Sequence, residues 1–422
     1  MTVQNKSRMQ LAIALISYLI GNLTSSIFSF VLSMYVLKLT GSSFTFSVIL
    51  LINPLITALL SPAVGYFVDT FNHKKVSLLS QAASVAMMVI FLIAHDRFTT
   101  PGEIILIGIT VVVLSLCDSF QSTSYKASTI HMVAESHQQT LIAWEQLMST
   151  IVILLYPTLG GVFYGFLSVE IIAVIELCGE LVVLIAIACL NFYLVAGTKK
   201  NETDTDSSHK ESLRESFKTG LSYMASDSAL INLLIFAIIA NFALASINVG
   251  LPVVFLNQLK INTSLYGIVQ SCLALGMIVS SLLLGIIKLK GNNLRLTSYA
   301  GFALTIGLII MAADLMLSPP QIVLVIIFAV SIALIGMAIT ATNLPFGIYI
   351  RTQIDEDKQG RVSAMSNAVV SFLSPVGMAL YGFLFDHVAA GYLFLVSGFI
   401  LLADTIVLFV RGGKAPQMTA KN

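Results

Sequence analysis

The chain has 422 residues, of which 57% are hydrophobic and 10% are charged, and its formal net charge at pH 7 is +1. Soluble domains carry roughly 25% charged residues, so this composition excludes an ordinary water-soluble protein. The balanced charge, without any long basic run, also excludes a nucleic-acid partner, which would require a clustered basic face.

Twelve long apolar segments, bounded by glycine, proline and charged residues, follow one another along the chain. A helix needs roughly 20 apolar residues to cross a bilayer, and the segments have about this length. They are continuously apolar rather than alternating, which favours helices over the strands of a barrel. The sequence therefore predicts an all-α integral membrane protein with twelve transmembrane helices. The segments cover residues 9–37, 45–70, 75–94, 103–126, 138–165, 169–196, 228–256, 262–288, 295–316, 321–350, 360–387 and 389–411.

The distribution of lysine and arginine predicts the orientation, because these residues are retained on the cytoplasmic side of short loops. With a cytoplasmic N-terminus, only Lys38, Arg97 and Lys260 lie outside, which leaves 19 of the 22 basic residues on the cytoplasmic side. Both termini are therefore expected in the cytoplasm.

The long polar segment 197–227 separates two groups of six predicted helices. Its second part carries an apolar stripe at helical spacing, formed by Leu213, Phe217, Leu221 and Met224. We interpret this segment as a cytoplasmic linker with a short amphipathic helix, between an N-terminal half (1–196) and a C-terminal half (228–422). A proline followed by Tyr-Gly-Phe recurs in the fifth and eleventh segments, at Pro157 and Pro375, so the halves are predicted to be repeats with a binding site between them.

Acidic side chains at membrane depth are costly and are therefore functional candidates by default. Asp118 in the fourth segment shares a helical face with Ser115, Ser122 and Tyr125, which predicts a polar stripe around the carboxylate. The other acids in apolar segments are Glu145, Glu176, Glu180 and Asp404.

The loop between the second and third segments reads Gly65-Tyr66-Phe67-Val68-Asp69-Thr70-Phe71-Asn72-His73-Lys74-Lys75. A glycine, an acid four residues later and then a basic cluster resemble the loop signature of the major facilitator superfamily. The resemblance implies a conformational latch of Gly65, Asp69, His73 and Lys74. In it the glycine permits close helix packing, and the carboxylate pairs with basic groups and a helix end. Thr70 and Asn72 depart from the family, which usually has a basic residue and a glycine there.

The fifth segment contains Pro157-Thr158-Leu159-Gly160-Gly161, which is similar to the antiporter motif of drug-exporting major facilitators. Pro157, Gly160 and Gly161 match, while Tyr156 and Val152 stand where the family has glycines. Proline frees a backbone carbonyl and glycine permits close packing, so such a helix can bend as a cavity opens and closes.

The stretch from Pro345 to Asp386 and the linker residues 217–223 are similar to the macrolide-efflux branch of these exporters, a branch that also includes siderophore exporters. The resemblance implies a monomeric bacterial cell-membrane protein that exchanges small amphipathic substrates for protons. We expect neither a cofactor nor a bound metal. Leu114 stands where many drug antiporters carry an arginine.

In this family the first, fourth, seventh and tenth helices line the cavity. The resemblance therefore implies proton coupling through Asp118 and Glu145, and it leaves Glu176, Glu180 and Asp404 a structural role. The implied substrate-cavity residues are Asn22, Ser26, Ser29, Ser122, Tyr125, Asn241 and Asn248. With Lys126 as the one nearby cation, a neutral or cationic ligand is favoured over a polyanion.

The sequence leaves three alternatives to a proton-driven drug exporter, and the absence of a Walker A motif disfavours ATP as the driving force. The first is an exporter of a siderophore or another endogenous metabolite. The second is a membrane enzyme such as a lipid transferase, but the loop around His131 and His137 has no recognisable catalytic spacing. The third is a receptor, which the repeat and the paired prolines disfavour. We predict a transporter and not an enzyme.

Overall fold

The computed structural model describes residues 3–132, 135–192, 227–286, 292–354 and 356–414, and within these ranges the chain is helical, with no β-strand. Of the predicted linker 197–227, all residues but Asp227 lie outside the described ranges. The long helices are α1 (Val3–Thr40), α2 (Ser43–Thr70), α3 (His73–Ala94), α4 (Thr100–Met132), α5 (Glu135–Phe166), α6 (Val169–Cys189), α7 (Ser228–Pro252), α8 (Thr263–Ile286), α9 (Asn293–Leu317), α10 (Gln321–Gln353), α11 (Glu356–His387) and α12 (Ala390–Lys414).

The length and apolar character of these helices confirm an all-α membrane protein. Within the described residues, 11 helices are long and apolar enough to cross a bilayer. Large apolar side chains such as Phe166 and Leu282 are exposed, as expected where lipid is the solvent.

Several helix ends differ from the predicted segments. The α4 helix extends to Met132, six residues beyond the predicted end at Lys126. Some of the added residues are polar, and polar residues can continue a helix because its hydrogen bonds join backbone groups. The α6 helix ends at Cys189 instead of continuing to residue 196, and the backbone of Leu190 is extended. The Lys74 ammonium donates to the carbonyl oxygens of Ala188 and Leu190 at 2.8 Å each, so it satisfies acceptors that the end of α6 leaves free.

The chain forms two compact units, and unit 1 comprises Met1–Gly41, Ile49–Asp206 and Ile261–Ile268. In unit 1, α1 packs against α5 and α6, and α3 packs against α4 and α6. The α1 and α6 helices approach closely because both carry glycines at the contact: a Cβ on Gly21 would collide with Val183, and one on Gly179 would collide with Thr24. These glycines bring the backbone of α6 close to α1.

Unit 2 comprises Ser42–Val48, Ser207–Lys260 and Val269–Asn422. It repeats the packing pattern of unit 1, since α7 packs against α11 and α12, and α9 packs against α10 and α12. Compared with the halves expected from the sequence, the first turns of α2 group with unit 2, and the first turn of α8 groups with unit 1.

The first turn of α2 is held within unit 2 by Asp386 at the end of α11. The Asp386 carboxylate accepts hydrogen bonds from the backbone N–H of Ser43 at 2.6 Å and of Phe44 at 3.1 Å, and from the Ser42 hydroxyl at 2.9 Å. An anion at a helix N-terminus satisfies free N–H groups and complements the helix dipole.

Candidate functional site

Unit 1 contains a partly open cavity of about 520 Å³ with many polar side chains on its wall, a volume within the usual range for small-molecule sites. Helices α1 to α6 all contribute to its wall. The side chains that define its chemistry are Ser17, Tyr18, Asn22, Ser25, Asn53, Thr57, Ser61, Gln81, Ser115, Asp118, Ser119, Gln121, Ser122, Thr123, Tyr125, Lys126, Glu145 and Glu180, with Ala14, Val64, Val183, Ile187 and Leu190 as apolar neighbours.

The polar stripe of α4 forms one wall of this cavity. Ser115, Asp118, Ser122 and Tyr125 all line it, and Asp118 is partly buried. A helix brings residues three and four positions apart to one face, so their spacing accounts for the shared wall. This stripe therefore places a carboxylate among hydroxyl groups inside the membrane-spanning part of unit 1.

A second carboxylate group meets Asp118 from α6. Glu180 lines the cavity and is only 7% exposed. The Gln81 side-chain amide donates to the backbone carbonyl of Glu180 at 3.0 Å and also to its carboxylate. One turn earlier on α6, Glu176 is 1% exposed and lies beside Thr24 and Glu180.

Asp118 is close enough to interact electrostatically with both Glu176 and Glu180. Two ionised carboxylates at such close range repel each other, so the cluster favours states in which it holds protons or a cation. Sequence reasoning left these two glutamates a structural role. Their spacing of four places both glutamates on one face of α6, but it does not show which neighbouring helix that face contacts.

The third carboxylate of the cavity wall is Glu145 on α5. It is partly buried and interacts with the Tyr125 hydroxyl and with Lys126. Lys126 is the one cationic side chain on the described cavity wall. With three carboxylates and one ammonium, the wall is anionic when all these groups are ionised.

The other predicted cavity residues lie in different places. Asn22 is on the wall, and its side-chain amide donates to the Tyr18 carbonyl at 2.8 Å. Ser26 and Ser29 are outside the wall, where α1 contributes Ser25 instead. Asn241 and Asn248 belong to α7 in unit 2. The Asn241 amide donates to the Ala237 carbonyl at 2.8 Å, and Asn248 is exposed.

The predicted latch residues do not form one cluster. Asp69 is exposed, and no ion pair joins it to any side chain in the described ranges. A Cβ on Gly65 would meet no described atom within 4 Å, so this glycine makes no close helix contact here. His73 and Lys74 instead join α3 to its neighbours: the His73 ring lies 3.0 Å from the Ser128 hydroxyl of α4, and Lys74 binds the end of α6.

Asn72, which stands where the family usually has glycine, has a local role at the same loop. Its side-chain oxygen accepts the backbone N–H of Lys75 at 3.1 Å and caps α3. Asparagine is among the preferred N-cap residues, so this departure from the motif gives α3 a defined start.

The antiporter-type motif forms the tightest backbone contact of α5. A Cβ on Gly161 would collide with the Thr263 carbonyl oxygen at the start of α8, and one on Gly160 would collide with the Phe30 ring of α1. From the other side, a Cβ on Gly267 would collide with the Pro157 carbonyl oxygen. Pro157 and the two glycines therefore lie where α5 meets the first turn of α8, within unit 1.

The described residues form 11 helices that can cross a membrane, and the first six helices of the chain line a cavity with polar side chains, an arrangement typical of a multi-pass membrane transporter. The sequence matches the Major Facilitator Superfamily over residues 14–371, and the chain belongs to that family. Members of this family are transporters rather than enzymes.

The chain is similar to macrolide efflux proteins. It is 22% identical to macrolide efflux protein A of Streptococcus pyogenes over 395 residues, which cover 91% of each chain. It is also 22% identical to macrolide efflux protein A of Enterococcus faecalis over 331 residues, 76% of this chain and 95% of the relative.

Solved structures show the same fold at low sequence identity. A bacterial homologue of the iron transporter ferroportin, in an inward-facing state, is 12% identical, with a TM-score of 0.70 over 96% of this chain and 99% of that one. A D-xylose–proton symporter is 12% identical, with a TM-score of 0.69 over 99% of this chain and all of that one. At this identity the likeness concerns the fold alone.

Proposed function

We propose that this transporter exports small amphipathic molecules of the macrolide or drug type, by proton antiport and alternating access. The observation that carries the proposal is the cavity wall of unit 1, where Asp118, Glu145 and Glu180 face a space of about 520 Å³ beside apolar side chains. Such a wall suits a ligand with an apolar body and an amine, because carboxylates compensate the charge of a desolvated cation.

The coupling follows from competition for the same carboxylates. A proton and a cationic ligand each neutralise the acidic wall, and close carboxylates disfavour the state in which all are empty and ionised. Release of the ligand is therefore linked to uptake of a proton, and the reverse exchange prepares the cavity for the next substrate molecule. We assign this exchange to Asp118 and Glu145, as the sequence suggested, and add Glu180.

The likeness to macrolide efflux protein A, at 22% identity over 395 residues, supports the macrolide class as substrate. The second candidate function is export of a siderophore or another endogenous metabolite. Lys126 is the feature that favours it, because an anionic ligand would need a cation on the wall.

A test of the function compares cells that express the protein with matched cells that express Asp118→Asn. We expect the parent to raise resistance to macrolides and cationic dyes severalfold, and everted vesicles to accumulate these compounds only when a pH gradient is imposed. The same two strains are also grown under iron limitation. If the parent protein improves growth only under iron limitation and leaves drug susceptibility unchanged, the protein is assigned to metabolite export.

We also propose that both termini and the linker 197–227 are cytoplasmic, because this orientation places 19 of 22 basic residues inside. A single cysteine introduced at Ser208, in a variant without its four native cysteines, is expected to resist a membrane-impermeant thiol reagent in intact cells. It should react after the cells are opened. Efficient labelling in intact cells would reverse the orientation.

A further inference from the structure

A buried histidine at one end of unit 1 lies outside the cavity and outside every predicted motif. His95 follows α3 and begins a single 3₁₀ turn, His95–Arg97. Its side chain is 2% exposed, stacks on Phe91 with ring centres 5.1 Å apart, and meets Tyr35 edge-on at 5.8 Å. The ring is thus held in one orientation by aromatic neighbours.

One ring nitrogen of His95 faces two carboxylates from different parts of the chain. Nε2 lies 3.2 Å from Glu170 Oε1, at the start of α6, and 3.9 Å from Asp96 Oδ1. These three potential ligand atoms all lie within 4.8 Å of one another. A metal bound at about 2.0–2.2 Å to each ligand holds such atoms roughly 3–4 Å apart, and the two distances from Nε2 fall in this range.

The other ring nitrogen faces a third carboxylate. Nδ1 lies 3.0 Å from Glu103 Oε1 at the start of α4, without the alignment of a hydrogen bond. The Tyr35 hydroxyl donates to the same Glu103 oxygen at 2.6 Å and so orients it. Histidines that bind metals commonly direct their second nitrogen at a carboxylate, which fixes the tautomer and leaves the lone pair free for the metal.

Carboxylate oxygens approach both ring nitrogens of His95, although a neutral imidazole has one N–H and one lone pair. With the proton on Nε2, this nitrogen donates to Glu170, and the lone pair of Nδ1 faces the Glu103 oxygen. With the proton on Nδ1, the lone pair of Nε2 faces the oxygens of Glu170 and Asp96. A metal ion bound to Nε2 removes the repulsion in the second case.

We propose that His95 Nε2, Asp96 and Glu170 bind a divalent transition-metal ion of the zinc class, with Glu103 and Tyr35 as the supporting pair. One imidazole and two carboxylates match this class better than Mg²⁺ or Ca²⁺, which prefer oxygen ligands alone. Asp96 is 81% exposed, so the ion has access from solvent and water completes its coordination. In the orientation proposed above, this end of unit 1 faces outward.

The ion would fasten the end of α3 to the start of α6. The sequence predicted no metal, because His95 and Glu170 are separated by all of α4 and α5 and show no ligand spacing. The site does not depend on the proposed substrate or on proton coupling.

The test titrates Zn²⁺ into the purified full-length protein, freed of metal by a chelator and without a histidine tag, and measures binding by calorimetry and the unfolding temperature. We expect saturable one-to-one binding that raises the unfolding temperature, with no effect from Mg²⁺. Asp96→Asn changes an exposed side chain and keeps the fold, and it should weaken Zn²⁺ binding at least tenfold. His95→Gln should abolish binding, while Glu103→Gln should weaken it about 10–100-fold.

The matched control is His387→Gln, since His387 is an exposed histidine at the end of another helix, α11, and makes no contact with this cluster. It should bind Zn²⁺ like the parent. If the parent binds no Zn²⁺, or if Asp96→Asn and the parent bind it equally, the proposal is wrong.

Discussion

Replacing Asp118 with Asn is expected to abolish uphill efflux driven by a pH gradient while substrate binding persists. Asparagine preserves the size of the side chain but cannot exchange a proton, so substrate release loses its link to proton uptake. We expect gradient-driven transport in proteoliposomes to fall about tenfold or more, within the usual range of coupling between two ligands. Glu180→Gln should have a similar effect, because Glu180 shares the cavity wall and the electrostatic field of Asp118.

The pH dependence of substrate binding distinguishes coupling from a packing defect. In the parent, protons compete with a cationic substrate for the same carboxylates, so the affinity should fall as the pH falls. In Asp118→Asn that dependence should flatten, whereas a variant that is merely misfolded loses affinity at every pH. Equilibrium binding to purified protein across a pH series measures this difference.

Two comparison variants show which carboxylate couples transport to the proton gradient. Asp404→Asn removes an acid from α12 in unit 2, away from the cavity wall, and should transport like the parent. Glu145→Gln tests the third carboxylate, whose contacts with Tyr125 and Lys126 differ from those of Asp118. If Asp118→Asn and Glu180→Gln both transport at the parent's rate while Glu145→Gln fails, coupling belongs to Glu145. Normal transport by all three variants would remove proton coupling through this wall.

Replacing Gly267 with Ala is expected to destabilise the protein and stop transport. The new methyl group would meet the Pro157 carbonyl oxygen, a backbone atom that cannot move without bending α5. Overpacking of this kind costs about 1–3 kcal/mol. Gly161→Ala places its methyl group against the Thr263 carbonyl oxygen and should act in the same way. Thermal unfolding in detergent and transport in vesicles measure both effects.

The matched control lies on the same helix as Gly267. A Cβ on Gly285 meets no described atom within 4 Å, and alanine is favoured over glycine in helices by about 0.8–1 kcal/mol, so Gly285→Ala should unfold at the parent's temperature or above it. Equal unfolding temperatures for Gly267→Ala and Gly285→Ala would show that the contact between α5 and α8 tolerates an added methyl group.

The polar stripe of α4 shows which features of the cavity wall helical spacing can predict. Ser115, Asp118, Ser122 and Tyr125 were grouped by their spacing alone, and the structure places all four on one cavity wall. On α1, helical spacing groups Asn22 with Ser26 and Ser29, whereas the side chains of α1 that line this wall include Asn22 and Ser25. Helical spacing defines a face, but only packing against neighbouring helices decides how far along the helix that face borders the cavity.

The glycines of the latch and of the antiporter-type motif differ in how closely they pack against other helices. The antiporter-type motif predicts close packing at Gly160 and Gly161: a Cβ on Gly161 would collide with the Thr263 backbone, and one on Gly160 would displace the Phe30 ring. Gly65 was expected to do the same but has no close neighbour, and Asp69 is exposed. The two motifs therefore differ in whether their glycines lie against another helix.

The amino-acid sequence by itself determined the fold class of this protein. Lipid cannot hydrogen-bond to the backbone, so long continuous apolar segments must be helices, and their number and order follow from counting. The sequence also determined that acids inside these segments are few and costly, which identified Asp118 and Glu145.

Only the tertiary structure decided which of these groups act together. Glu180 joins Asp118 because Gln81 of α3 and the glycine contacts of α6 turn one face of α6 toward the cavity. His95 meets Glu103 and Glu170 because three helix ends converge at one end of unit 1. Such clusters depend on contacts between residues distant in sequence, and no local periodicity carries that information.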